Sequence, residues 1–131
     1  MKRNDQTKYH FDSVTGILYK QYFGNITIET IKESWIHAFE HQLIPKNVKG
    51  FVLDYREGTF DFPLQDFQKI SSFYREHLDV FDGFRFGIVT HNPKDQVVPK
   101  LLAMEAQGYH SREFREMETA VAWVLANPEL K

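Results

Sequence analysis

Residues 37–41 read HAFEH, and His37, Glu40 and His41 are the first residues whose types and spacing suggest chemistry. His-x-x-Glu-His is the zinc signature of one metalloprotease class. Two histidines four apart on a helix can share a metal. The helical register points elsewhere. At about 100° per residue, Ile28, Ile31, Trp35 and Phe39 gather on one face. His37 and His41 then fall roughly 120–160° away, towards solvent. A catalytic zinc also needs a shaped, partly dry cavity and a third ligand. No metal site is therefore expected beyond incidental binding at an exposed histidine pair.

Other chemistries lack their anchors. The chain has no Cys, which excludes disulfides, thiolate catalysis and cysteine metal sites. No Gly-rich phosphate loop and no Gly-x-Ser-x-Gly elbow occurs. Asp61 and Asp66 could work as an acid–base pair. Asp66, however, falls in the first turn of a helix, where acids are favoured electrostatically. No catalytic residue and no cofactor is expected.

Two groupings remain as binding candidates. Ligands of open α/β sheets favour the carboxyl ends of parallel strands. Those ends carry Asp54, Tyr55 and Arg56, then Thr90, His91 and Asn92, with Thr59 in the loop between. The second grouping is aromatic. Phe73 lies on the flank of its helix beside Ile70 and His77, where it could form an apolar patch or the wall of a hydrophobic pocket.

The elements that must position these residues follow from periodicity. Residues 8–12 and 17–23 read as two strands of an antiparallel hairpin around SVTG. Gly24 ends the second strand, and Thr27 caps a helix whose apolar residues run Ile28, Ile31, Trp35, Phe39, Leu43. Pro45 and Gly50 close that segment. FVLDY (51–55) is a buried strand and residues 63–79 a second helix, with Leu64, Phe67, Ile70, Tyr74 and Leu78 on one side. FRFGIVT (84–90) is a strand. A turn and a helix over about 98–107 follow, with Gly108 as its cap. A short strand (111–115) and a helix (117–126) with Met117, Ala120, Val121 and Val124 inward complete the series. Strands alternating with helices pair in parallel through right-handed crossovers. The predicted fold is thus α/β: a five-stranded mixed sheet, antiparallel at its N-terminal hairpin and otherwise parallel, with four helices.

Composition sets the remaining bounds. The 131 residues suit a single domain over 1–131, with residues 1–6 as a loose tail. Hydrophobic residues make up 42% and aromatics 15%, too apolar for a disordered chain. The net charge of -2 carries no basic excess, so nucleic acid is not an expected partner. No apolar run approaches the roughly 20 residues of a membrane span, and the N-terminus does not read as a signal peptide. The expected location is the cytoplasm, with peripheral membrane contact left open.

In this order the elements resemble the STAS domain family, named for sulphate transporters and anti-sigma-factor antagonists, and within it the small stand-alone SpoIIAA-like branch. The likeness runs from about residue 8 to 127. It rests on the opening hairpin, Gly24-Asn25-Ile26-Thr27 leading into the helix with Trp35, the buried strand FVLD, and the closing REFREMETAVAWV. The resemblance implies a non-enzymatic regulatory module that binds a protein partner or a second copy of itself. In anti-sigma-factor antagonists, the loop after this acid-tipped strand carries a phosphorylated serine at the next helix start. Residues 54–66 here contain no Ser, and Thr59 is their one aliphatic hydroxyl. A switch of that kind is not expected. The stand-alone branch is also similar to Sec14-type lipid-binding domains. That makes a small hydrophobic or lipid-like ligand near the aromatic second helix the alternative. The candidate binding residues for either role are Asp54, Arg56, Thr59, Phe73, His77, Thr90 and His91.

Overall fold

The structure, a computed structural model, describes residues 6–129. The predicted loose tail lies outside the described residues except for Gln6. The Gln6 side-chain amide donates to the carbonyls of Phe23 and Asn25. β1 (Thr7–Asp12) and β2 (Ile17–Ile26) form the opening hairpin. There follow α1 (Ile28–Glu40), β3 (Gly50–Phe60), α2 (Phe67–Glu76), α3 (Leu78–Phe81), β4 (Arg85–Val89), α4 (Val97–Glu105), β5 (His110–Phe114) and α5 (Met117–Leu125). Short 3-10 turns precede α2 (Leu64–Asp66) and α4 (Pro93–Asp95).

The sheet order is β1-β2-β3-β4-β5, antiparallel only between β1 and β2. This is the predicted mixed sheet. Because strand order follows chain order, three right-handed crossovers put their helices on the same face. The main core lies there, with Leu18, Trp35, Phe51, Leu53, Ile70, Tyr74, Phe81, Phe86 and Leu102 interleaved. The other face carries α5, whose Ala120 and Val124 pack on Ile17, Val52 and Val89. Glycines at 50 and 87 let α5 come close. A Cβ at Gly50 would collide with Val124, and one at Gly87 would lie 3.2 Å from Ala120 Cβ.

Helix starts match their sequence signals. Thr27 Oγ1 accepts the Thr30 amide at 3.1 Å, and Thr30 Oγ1 accepts the Thr27 amide at 3.3 Å, a reciprocal capping box. Pro99 sits in the first turn of α4, where its missing N–H removes no intrahelical bond.

Four expectations need correction. Among the described residues there are five α-helices rather than four, because His77 (φ −122°, ψ 35°) leaves helical geometry and splits residues 67–81 into α2 and α3. Leu64 does not join the inward face of α2. It lies in the 3-10 turn, whose angular step differs, and is exposed. Gly108 is not the cap of α4, which ends at Glu105 with Ala106 as its cap residue. Instead it turns the chain with φ +85°, and its carbonyl accepts the Gly83 amide at 2.6 Å.

The fourth correction matters most. Gly24 was expected to end β2, and residues 56–61 were expected to be a loop. Gly24 adopts φ +76° yet stays in the sheet, and β2 continues to Ile26. β3 continues beside it to Phe60, with Glu57 to Phe60 opposite Phe23 to Ile26. Between the pairs Gln21–Asp54 and Phe23–Glu57, β2 has one residue and β3 has two. That bulge bends the ribbon and increases its twist. Each extension supplies the backbone partners the other needs.

Candidate functional site

At the carboxyl end of the parallel strands, the pairing of β3 with β4 stops at Asp54 opposite Val89. Asp54 is buried and both its oxygens are engaged. Oδ1 accepts the Arg56 amide at 3.0 Å and Arg56 Nε at 2.9 Å, and Oδ2 accepts a terminal guanidinium nitrogen at 2.9 Å. This two-pronged pair is the strong form of an ion pair. It raises the Arg56 pKa further, chiefly through the hydrogen bonds to Asp54. A carboxylate so occupied is an anchor for the bulge, not a free base.

The other rim residues do not converge on this pair. Thr59 is in the ribbon opposite Asn25, five residues or roughly 16 Å along the strand from Asp54. Thr90 is buried directly after β4, its amide donating to the Phe114 carbonyl at 3.1 Å. His91 is exposed. The ribbon tip is tied back to the turn after β4, since the Phe60 amide donates to Asp95 Oδ1 at 3.3 Å. Beside that tie lies an open groove of about 270 Å³, lined by Phe60, Phe62, Leu64, Asp95, Val97 and Val98. Leu64 and Val97 are 48% and 45% exposed. The sequence reading named neither of them as a site residue.

Phe73 was proposed as an exposed apolar handle. It is 6% exposed, so it forms no open patch, though it does line a small groove of about 220 Å³ with Lys32, Gln68, Lys69, Ser72 and Glu76. The break at His77 brings the next turn back, and the His77 ring packs on Phe73 with centroids 4.3 Å apart. Phe39 of α1 stacks on His77 from its own side at 5.2 Å. The imidazole Nδ1 lies 2.8 Å from the Phe73 carbonyl, which requires a proton on that nitrogen. His77 also lines a larger open groove, of about 830 Å³, with Phe39, Ile44, Val48, Val80 and Phe84. This groove runs between the end of α1 and α3, beside the start of β4. It is at the opposite end of the sheet from Asp54. The space between α2 and the sheet is filled by Ile70, Tyr74, Phe81 and Phe86. At HAFEH, the His37 and His41 rings lie 4.1 Å apart, tilted by 34°. Among the described residues no cluster of three metal-ligating side chains occurs. No helix among them is long and apolar enough to cross a membrane.

No family model and no curated protein matches the sequence. Solved structures do match in three dimensions. One is an uncharacterised protein of the DUF3478 family with a SpoIIAA-like fold from Shewanella loihica PV-4. It has a TM-score of 0.60 and 15% identity over 90% of this chain and 91% of that one. Another is the anti-sigma factor antagonist SpoIIAA in its unphosphorylated form, with a TM-score of 0.51 and 14% identity over 90% and 96% of the two chains. This chain has the SpoIIAA-like (STAS) fold.

Within its SpoIIAA-like sheet, one residue missed by the sequence reading stands out chemically. Lys20 of β2 is 0% exposed. It lies between Leu18 and Tyr22 on the helix-covered face, beneath α1. Its Nζ donates to Ser34 Oγ at 2.7 Å and sits 3.4 Å from the centre of the Trp35 ring. The rings of Tyr22 and Tyr9 are 5.3 and 5.7 Å away. Ser34 donates its own proton to the Ile31 carbonyl at 2.7 Å, so Tyr22 OH donates to Ser34 at 2.9 Å. Tyr9 OH closes the cage by donating to the Ser34 carbonyl at 2.6 Å. No carboxylate among the described residues pairs with the amine.

Two effects compete at this amine. A desolvated cation over an aromatic face gains about 2 kcal/mol. Burying an ion in a protein interior costs several kcal/mol. Burial wins, and it holds the Lys20 pKa well below the ordinary lysine value. Strand alternation carried the signal, since position 20 shares its parity with the core residues Leu18 and Tyr22.

Proposed function

We propose that this protein is a non-enzymatic interaction module of the STAS type. It binds a protein partner through the rim at the carboxyl ends of β3 and β4. The reading rests on one observation: Leu64 and Val97 stand half-exposed across an open groove walled by Phe60, Phe62 and Val98. Apolar side chains grouped around a concavity are the usual anchors of a binding surface. The fold adds support, because one structure that shares it is named as an anti-sigma factor antagonist. The phosphoserine switch is absent from the proposal. Residues 54–66 hold no Ser, and Thr59 is held in the ribbon rather than at a helix start. Arg56 and His91 flank the rim as its polar contacts.

The double variant Leu64→Asp/Val97→Asp tests this surface. Both side chains face solvent, so the fold should keep its melting temperature within a few degrees. Affinity for a captured partner, or for a second copy in light scattering, should fall at least tenfold. Unchanged capture together with an unchanged oligomeric state would remove the surface from consideration.

A second reading is supported by the larger groove. Its volume of about 830 Å³ and its walls of Phe39, Ile44, Val48, Val80 and Phe84 suit a small hydrophobic or lipid-like ligand. His77 and Lys46 at its margin would meet a polar head. Such a ligand should co-purify and be seen by native mass spectrometry, and stripping it should lower the melting temperature. Protein that emerges empty, with a melting temperature indifferent to added fatty acid, would exclude this reading.

A further inference from the structure

We propose that Lys20 is a pH-graded latch on the seam where β1, β2 and α1 meet. The amine is closed in as the neutral base, and opening the seam is what allows it to take up a proton. The geometry that supports this is the cage itself. Lys20 is fully enclosed, and Ser34 Oγ is its single hydrogen-bond acceptor. Three faces are rings from three elements: Tyr9 of β1, Tyr22 of β2 and Trp35 of α1. The same Ser34 holds Tyr9 through its carbonyl and Tyr22 through its hydroxyl. One residue therefore ties α1 to both strands of the hairpin, and the amine sits at the crossing.

Among the described residues, the titratable groups in recorded contact with this cage are phenols and one imidazole, which carry no negative charge at neutral pH. They are Tyr9 on β1, Tyr22 on β2 and His37 on α1, whose ring lies 5.7 Å from Tyr9. Tyr55 of β3 stacks on Tyr22 at 4.4 Å, and Tyr74 of α2 receives the Trp35 indole N–H at 3.1 Å. None of them can neutralise an ammonium from within. Water can, but only once the seam parts. Burial favours the neutral amine and lowers its pKa well below the ordinary lysine value.

Linkage then sets the response. Below the ordinary lysine value of about 10.4, each pH unit favours the open, protonated seam about tenfold. The gain ends where the amine begins to protonate in place. β1 is an edge strand, and its release would leave β2 as the new edge, with backbone groups ready for another strand.

The test is NMR on the full chain carrying ¹³C-labelled lysine, with amide exchange measured across the same pH series. The Lys20 Cε signal should titrate well below those of the exposed lysines. After correction for intrinsic rates, exchange at His10, Tyr19 and Gln21, the amides that face across the β1–β2 seam, should rise about tenfold per unit as the pH falls from 10. Amides of Ile88 and Arg112, in β4 and β5, should show no such slope. Lys20→Met should flatten the response. Titration of Lys20 alongside the surface lysines would overturn the latch. So would a pH-independent seam in the wild type, or a slope that survives in Lys20→Met.

Discussion

Trp35→Ala should cost about 3–5 kcal/mol of stability, the largest loss expected from any single truncation in this chain. The indole is the hub of the main core. Its ring meets Phe81 at 4.9 Å, Phe51 at 5.4 Å, Phe86 at 5.9 Å and Tyr74 at 6.0 Å, all edge-on. Edge-to-face pairs add about 0.5–1.5 kcal/mol each beyond the area they bury. Truncation would open a cavity between α1 and the sheet and uncover Lys20. Domains of this kind hold a net stability of only about 5–15 kcal/mol, so the variant should approach the limit of folding. Trp35→Phe keeps most of the ring surface and loses the N–H donated to Tyr74 OH. Its cost should be nearer 1–2 kcal/mol. Urea unfolding of both variants measures the difference. A loss below about 2 kcal/mol for Trp35→Ala would show that the surrounding rings can close the gap unaided.

Alkaline pH should unfold the protein more steeply than its surface charge would suggest. Five tyrosines are involved. Burial raises Tyr9 and Tyr109 to about 12, and it raises Tyr22, Tyr55 and Tyr74 further. A group whose pKa is higher in the folded state contributes stability that is fully present below its unfolded value, near 10. That contribution is lost as pH climbs through the folded values. Lys20 acts with the opposite sign, because its folded value is depressed. Its penalty shrinks as pH rises towards 10.4. Stability should therefore climb to a maximum near pH 10 and collapse above it. Thermal melts from pH 7 to 12 would display both limbs. Tyr55→Phe should make the alkaline limb shallower, since it removes one ionisable group from the core and keeps the ring. A flat profile between pH 10 and 12 would mean that these phenols ionise without unfolding the chain.

The sheet was legible in the sequence because strands covered on both faces read as short continuous apolar runs bounded by turn residues. FVLDY and FRFGIV show it, and the capping threonine and prolines punctuate the helices. What such runs could not show was the ribbon. Arg56, Glu57, Gly58 and Thr59 are polar or small, and they resemble a loop because neither face of that stretch is fully buried. They are strand because β2 runs past Gly24 and offers them a backbone partner. Pairing between distant segments leaves no local trace. Phe73 was misplaced for a related reason. Its angle on an ideal helix was read correctly, but the break at His77 folds a histidine ring over it.

The candidate site was legible only in outline. The carboxyl end of the strands was marked as a place for function from topology, and Asp54 and Arg56 do meet there. Thr59 is carried away by the ribbon and Thr90 is buried. Leu64 and Val97 went unnoticed because an isolated apolar residue looks like core until its exposure is known. Lys20 went unnoticed for the converse reason, since a lysine within a strand is ordinarily taken to face water.

The lone helix on the second face has a consequence for how the chain is made. α5 follows all five strands, and among the described residues it is the helix that covers Ile17, Val52 and Val89 on their side of the sheet. A ribosome adding roughly 5–20 residues per second will have delivered every strand before that cover exists. For roughly one to two seconds the nascent sheet holds an apolar face open to whatever is nearby, until α5 closes it.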